Sequence, residues 1–446
     1  MNADSFASLS PTKLFFRCAL PAVVVSVFGA LYSVVDGIFA GRYLGEDALA
    51  AINLIMPVIM IVEAISNMVA AGASVNVSIL LGKQQREAAS RVFSFSVKFI
   101  LLFSCVVSLL GFFFARPFVN LISHGASAEA VRYSIQYLKI YAAFGPLIPV
   151  FFATDNYLRV CGKQKLSMII SITTQLLNVV LDFVFIVILH QGVRATAAAS
   201  CISVILGSVW TLILFSGKRM DVYYTKKNIL SSQFFHILAN GSSEFFSNIA
   251  VSVMSVIMNL FLLRYGGTAA VAAFSIVMYV DSIIGMMNFG ICDSLQPAIS
   301  YCYGAGLWDR LKEIFKRVVI ASVILAVISF LFMYLAGPYA AAIFIKPGDG
   351  ALLAISKTAV RLFSFSYLAG WIDLCFSSYF TALDRPVRSL LVSVFGTLVF
   401  PIVFLVILSS VLGLNGVWLM ASAASAASGI LTLIFVKTLK PGGNHE

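Results

Sequence analysis

The chain has 446 residues, 60% of them hydrophobic and only 11% charged, with a formal net charge of +11. Soluble domains hold roughly 45–50% apolar and about 25% charged residues, so the excess apolar surface has to face lipid. Long apolar runs in place of ten-residue alternation exclude an outer-membrane barrel, and the basic excess lies between those runs, where it reports topology and not nucleic-acid binding.

In chain order, no Asp, Glu, Lys or Arg interrupts the stretches between Arg17 and Asp36, Lys98 and Arg116, Arg194 and Lys218, or Arg317 and Lys346. Each is near or above the roughly 18 residues that a spanning helix needs. The first run is too long for a secretory signal, lacks a small-residue cleavage site and carries Asp36, so it is the first span. The uncharged stretch from Ser389 to Val436 would span twice, turning at Gly413-Leu414-Asn415-Gly416. Together the pattern predicts an all-α polytopic membrane protein with twelve helices, near 13–40, 48–80, 92–115, 127–158, 165–190, 195–216, 234–263, 268–304, 313–336, 351–382, 387–410 and 415–437.

Twelve spans place both termini on one side. On that side fall 20 basic residues, among them Lys13, Arg86, Lys163, Lys218, Arg219, Lys227, Arg310, Arg388 and Lys440. The opposite side has only Arg42, Arg116, Arg194, Arg264 and Lys346. Short loops rich in Lys and Arg stay inside, so both termini are expected in the cytoplasm of a cell inner (plasma) membrane. His124 and His190 fall in the outer loops and read as solvated imidazoles.

The chain repeats itself. Arg42-Tyr43-Leu44-Gly45 recurs as Arg264-Tyr265-Gly266-Gly267, and at that same offset Ala48, Ala50, Ala51, Met56, Val58 and Ile61 meet identical residues. The register persists, without a gap, at Gly82 with Gly304 and Tyr157 with Tyr379. Two six-helix lobes are therefore expected, residues 1–216 and 234–446, joined by a cytoplasmic linker at 217–233. Six is even, so the lobes share an orientation, which suits a cavity between them and alternating access.

Ionisable groups inside spans are expensive and default to functional candidates. Here Asp36, Glu63, Asp182, Glu244, Asp281, Asp293 and Asp373 are all acidic, so a cavity lined by them would attract cations. Gln175, Asn178 and Asp182 share one helical face. Asp36 would meet that face, and two carboxylates in one apolar site do not both ionise easily, which suits proton linkage. The bland alternative is a network that caps helix ends. Glu244, Asn248, Ser252, Ser255 and Asn259 form a polar stripe that must face a cavity or another helix; interhelical bonding would explain its Ser and Asn residues but not Glu244. Pro21 removes a backbone hydrogen bond and would either hinge or statically kink the first helix.

Seven cysteines without a C-x-x-C pair read as core residues, so no disulfide or resident metal is expected. No G-x-x-x-x-G-K-[ST] run is present, nor H-E-x-x-H or G-x-S-x-G, which leaves an ion gradient as the energy source and argues against an enzyme.

Val35-Asp36-Gly37-Ile38-Phe39-Ala40-Gly41-Arg42-Tyr43-Leu44-Gly45 resembles the helix 1 to helix 2 signature of the multidrug and toxic compound extrusion (MATE) transporters of the MOP flippase superfamily. Leu177 to Ile186 resembles the family's helix 5 motif, Gln296 to Ala305 its helix 8 end, and Gly416-Val417-Trp418 its helix 12 start. The resemblance implies two lobes forming a V-shaped central cavity, and exchange of Na⁺ or H⁺ for lipophilic, often cationic compounds without a cofactor. It assigns Asp36, Asn178, Asp182 and Ser200 to an N-lobe site for a proton or Na⁺, Ser200 standing where many members have Thr. Pro21 matches the proline of helix 1 bending, and Glu244 and Asp373 resemble C-lobe acids, with Asp281 a further carboxylate there. A monomer in contact with membrane lipids is expected.

Two rivals differ in their demands. A flippase for lipid-linked or other anionic amphiphiles needs cavity cations, for which Lys98, Arg132, Lys139, Lys357 and Arg361 are the only basic residues within spans. An intramembrane lipid-modifying enzyme needs a catalytic motif, and none is found.

Overall fold

The computed structural model describes residues 2–39, 43–123, 127–217, 220–227, 229–343, 345 and 350–438. Arg42, His124, Lys218, Arg219, Lys346 and Lys440 of the charge pattern lie outside the described residues, as do Ala40 and Gly41 of the first motif. Among the described residues there is no strand.

The helices are α1 (Ser5–Ser8), α2 (Pro11–Phe39), α3 (Glu46–Gly82), α4 (Arg86–Phe113), α5 (Ala115–Ile122), α6 (Ala128–Phe144), α7 (Ile148–Val160), α8 (Gln164–Asp182) and α9 (Val193–Ser216). They continue as α10 (Ser231–Ser294), α11 (Gln296–Gly304), α12 (Trp308–Leu331), α13 (Gly337–Ile343), α14 (Gly350–Ser364), α15 (Tyr367–Ala382), α16 (Pro386–Val394), α17 (Phe400–Leu412) and α18 (Leu414–Lys437).

Among the described residues, ten helical stretches are long and apolar enough to cross a membrane, and α14 with α15, bent by 50° at their junction, supply an eleventh. The twelfth lies hidden in α10. At 64 residues it would be about 95 Å long, three times the hydrocarbon thickness of about 30 Å. It is broken at Gly267, with φ 63° and ψ −160°. Gly45, its counterpart in the first repeat, has φ 86° and ψ −179° before α3. Only glycine takes such backbone angles without strain, so the repeated glycine sets the same turn twice.

The repeat recurs elsewhere in the backbone and core. The turn at Gly145–Leu147 between α6 and α7 has its counterpart, within two residues of the same sequence offset, in the α14–α15 bend, and α5 has its counterpart in α13. Tyr157 packs edge-on against Phe93 at 4.9 Å between ring centroids, while the equivalent Tyr379 stacks on Phe315 at 3.9 Å.

Helix ends outrun the apolar pattern where polar residues support them. The predicted span at 92–115 begins at Arg86, because Glu87 and Arg91 pair across one turn at 2.9 Å. Composition alone also passes over α1, whose Phe6 is fully buried. Around it, Tyr301 donates to Asp4 at 3.2 Å, Arg86 reaches Asp4 at 3.2 Å, and Arg310 Nε donates to the Phe6 carbonyl at 2.7 Å.

Two compact units emerge, Met1–Gly241 with Pro297–Lys312, and Ser242–Gln296 with Glu313–Glu446. The first has a core of Ala48, Ile52, Ile55, Tyr137, Leu138 and Ala197 from α3, α6 and α9. In the second, Met258, Leu262, Ala273, Leu405 and Trp418 pack between α10, α17 and α18. Outward-facing side chains such as Leu102, Phe113 and Val411 remain 67%, 72% and 75% exposed, as lipid-facing residues do.

Candidate functional site

In the first unit α8 packs against both α2 and α9. Its polar face, spaced by three and four residues, turns toward them. The Gln175 amide lies beside Gly29 of α2, its Nε2 3.7 Å from where a Cβ would be, an ordinary contact distance. One turn further along α8, the Asn178 amide nitrogen donates to Asp182 Oδ2 at 2.8 Å, while its oxygen accepts from the Ser200 hydroxyl at 3.0 Å and the Ser200 amide at 3.1 Å. That orientation is the one that satisfies all three groups. Asp182 is fully buried and Asn178 is 3% exposed.

Asp36, three residues before the end of α2, meets Asp182 at hydrogen-bonding reach. Asp36 Oδ1 and Asp182 Oδ1 are buried with no hydrogen-bond partner among the described residues. Two unpartnered carboxylate oxygens beside an amide and a hydroxyl make an oxygen-rich pocket of the kind that suits a proton or a hard cation. After Asp182 the helix runs on as a π-helical segment at Phe183–Ile188, a deviation that recurs at functional sites. Sequence reasoning missed Tyr32, which reaches the Ser200 hydroxyl from one turn before Asp36; its spacing of four from Asp36 was the available signal.

In the second unit a cavity of about 410 Å³ is lined by Glu244, Asn248, Asp293, Asp373, Ser377 and Thr397, among others. The Asp373 carboxylate occupies the space that Gly396 leaves, since a Cβ there would come within 2.7 Å of Asp373 Oδ2 and 2.9 Å of the Ser428 hydroxyl. Asp373 Oδ1 is buried without a hydrogen-bond partner among the described residues.

The polar stripe of α10 divides. Glu244 and Asn248 line the cavity, whereas Ser255 and Asn259 are exposed and do not. Asp281 stands outside the cavity lining and accepts from the Tyr367 hydroxyl at 2.8 Å. Asp293 does line it. Pro21 sits inside α2, which runs unbroken from Pro11 to Phe39. Asp155 accepts from Ser167 at 2.5 Å and lies 3.4 Å from Arg159, a structural set of partners.

The sequence profile of the family described as MatE matches residues 21–184 and again 244–407, once per repeat. The chain belongs to the MatE family. This MatE protein is 24% identical over 438 residues to the multidrug export protein MepA of Staphylococcus haemolyticus (strain JCSC1435), covering 98% of this chain and 95% of that protein. It is 25% identical over 443 residues to MepA of Staphylococcus saprophyticus subsp. saprophyticus, with 97% and 95% covered. A crystal structure of MATE in complex with MaL6 superposes with a TM-score of 0.90 at 22% identity over 98% of both chains. An outward-facing multidrug resistance MATE transporter of the MOP superfamily gives 0.89 at 22% identity, over 98% of this chain and 97% of that one. The MatE fold of twelve helices in two six-helix lobes is therefore the fold of this chain.

Proposed function

We propose that this MatE protein is a secondary-active exporter that exchanges lipophilic, often cationic compounds for Na⁺ or H⁺ by alternating access. The observation that carries the reading is the Asp36–Asp182 pair with its two buried, unpartnered oxygens, ordered by Asn178 and Ser200. A coupling site must bind its ion differently in the two access states, because equal binding shifts no equilibrium. Asp36 and Asp182 lie on different helices, so a movement of α2 relative to α8 changes the pair. Asp36 and Asp182 hold the ion, Asn178 and Ser200 orient Asp182, and Pro21 is the point at which α2 would bend between the two access states. Glu244 and Asp373 supply negative charge to a cavity that accepts cationic substrate.

The names of the MepA relatives favour multidrug cargo. The flippase reading loses ground because Lys98, Arg132, Lys139, Lys357 and Arg361 are all exposed. Lys98 donates to the Thr225 carbonyl at 3.1 Å, Arg132 pairs with Glu129 at 2.8 Å, and Lys139 lies over the Phe112 ring at 5.9 Å. Both termini and the linker at 217–233 belong in the cytoplasm of the plasma membrane on this reading, with residues 1–216 and 234–446 as the lobes of a monomer.

The deciding experiment is efflux of a fluorescent lipophilic cation from proteoliposomes under separately imposed Na⁺ and pH gradients. Efflux driven by one gradient and abolished by its collapse is the expected result. Efflux that needs ATP, or lipid scrambling in place of cation efflux, would overturn the proposal.

A further inference from the structure

Away from the Asp36–Asp182 pair, a cavity of about 320 Å³ lies between the N-terminal ends of α2 and α8. Arg17 of α2 forms one wall, and the turn from Gly162 through Leu166, which opens α8, forms the other. Of the described lining residues Arg17, Lys163 and Lys165 are cations and none is an acid. The three side chains make no ion pair or hydrogen bond among the described residues. The acids of neighbouring segments are engaged elsewhere. Asp155 accepts from Ser167 at 2.5 Å and lies 3.4 Å from Arg159, while Asp221 accepts from the Ala3 amide at 2.9 Å and lies 3.9 Å from Arg86.

The backbone adds charge of the same sign. Lys163 caps α8 without a side-chain hydrogen bond, and the Gln164 and Lys165 amides donate to no acceptor among the described residues. Free amides at a helix start carry partial positive charge. Like charges gathered without a counter-ion repel one another, and an anion bound among them relieves that cost.

The surroundings select the kind of anion. On α2, Phe16 and Leu20 flank Arg17 and are 60% and 59% exposed, and on α8 Ile169, one turn after Lys165, is 50% exposed. Apolar side chains left open on a spanning helix face lipid, so the three cations stand where the lipid-facing surface begins. On the topology proposed above they also lie on the side of the anionic cytoplasmic leaflet.

We infer that this cavity binds the phosphate of an anionic phospholipid, with Arg17, Lys163 and Lys165 around the headgroup and the acyl chains along Phe16, Leu20 and Ile169. The Arg17 guanidinium suits two phosphate oxygens at once. A free phosphate meets the same cations but leaves the apolar flank unused. A zwitterionic lipid brings a quaternary ammonium into a site with three cations and no acid. The bound anion ties α2 to α8, the two helices that bring Asp36 and Asp182 together. The inference needs this end of the chain at a headgroup surface and does not depend on what the chain exports.

The test is native mass spectrometry of the full chain, purified in detergent and titrated with dioleoyl phosphatidylglycerol, dioleoyl phosphatidylcholine or inorganic phosphate. One saturable phosphatidylglycerol adduct is expected, about tenfold or more tighter than the phosphatidylcholine adduct and not displaced by millimolar inorganic phosphate. Arg17→Gln, Lys163→Gln and Lys165→Gln should each weaken it about fivefold, the effect of one basic residue at a membrane surface, and the triple variant should abolish it. Lys83→Gln, Lys226→Gln and Lys312→Gln combined remove as much charge from exposed positions outside the cavity and should leave the adduct intact. Equal affinity for the two lipids, or an adduct that survives the triple variant, would overturn the inference. Equal loss in the control variant would mean diffuse surface charge, and displacement by inorganic phosphate would mean a soluble-anion site, and either overturns it as well. Thermal unfolding checks that each variant folds, and where one does not, the lipid preference of the unaltered chain decides alone.

Discussion

Gly82 and Gly304, equivalent positions of the two repeats, pack against each other's helices at the ends of α3 and α11. A Cβ on Gly82 would lie 2.1 Å from the Tyr301 carbonyl oxygen, and one on Gly304 would lie 2.1 Å from that of Ile79. Ile79 and Tyr301 are themselves repeat equivalents at the same offset, so the contact is self-complementary, with each repeat offering the other the same surface. Small residues let helix backbones approach this closely in a membrane.

Gly82→Ala and Gly304→Ala should each force α3 and α11 apart, at a cost on the order of 1–3 kcal/mol. Thermal unfolding in detergent checks this, with Gly285→Ala as the control, because nothing lies within 4 Å of a Cβ at Gly285. Equal melting of all three variants would mean that α3 and α11 do not approach this closely in the detergent-solubilised protein.

Asp36→Asn and Asp182→Asn should abolish gradient-driven efflux while the protein still inserts, because each removes the charge that the coupling ion neutralises. Asn178→Ala should weaken ion binding about tenfold or more, since it strips Asp182 Oδ2 of its donor and leaves a buried polar group unpaired. Glu244→Gln should mainly weaken binding of cationic drugs. Efflux and equilibrium binding on the same purified variants separate these effects, and normal pumping by both aspartate variants would move the coupling site to the second unit.

Gly396→Ala should act on Asp373 without altering any charge. Its Cβ would come within 2.7 Å of Asp373 Oδ2 and so displace the carboxylate. Cationic drug binding should fall about as much as it does in Asp373→Asn, measured by equilibrium titration. Unchanged binding in Gly396→Ala alongside a loss in Asp373→Asn would show that the carboxylate position is not constrained.

Phe6→Ala should destabilise the protein by about 3–5 kcal/mol, the usual cost of truncating a buried aromatic. Phe6 is fully buried and packs edge-on against Tyr301 at 5.8 Å between centroids. The measurement is a denaturation midpoint, with Phe16→Ala as the comparison because Phe16 is 60% exposed.

A single cysteine at Lys226, in an otherwise cysteine-free chain, should resist an impermeant maleimide added to whole cells and react after permeabilisation. Lys226 is exposed within the connecting segment between α9 and α10, so burial would not explain resistance. Rapid external labelling would invert the topology.

The sequence by itself determined the twelve spans, the register of the internal repeat and the shared face of Asn178 and Asp182. Apolar length, turn glycines and the helical period are local properties, written within a few turns of chain. Tertiary structure alone decided which of the acids share a site. Asp293 joins Glu244 and Asp373 in one cavity while Asp281 goes to Tyr367, although all four lie in the same repeat. It also decided that Tyr32 completes the Ser200 contact, that Gly396 makes room for Asp373, and that Tyr141 donates to Glu63. A helix period fixes which residues share a face, but the neighbour that face meets is set by how the helices pack, and helix packing spends small residues and buried hydroxyls that look ordinary in a one-dimensional sequence.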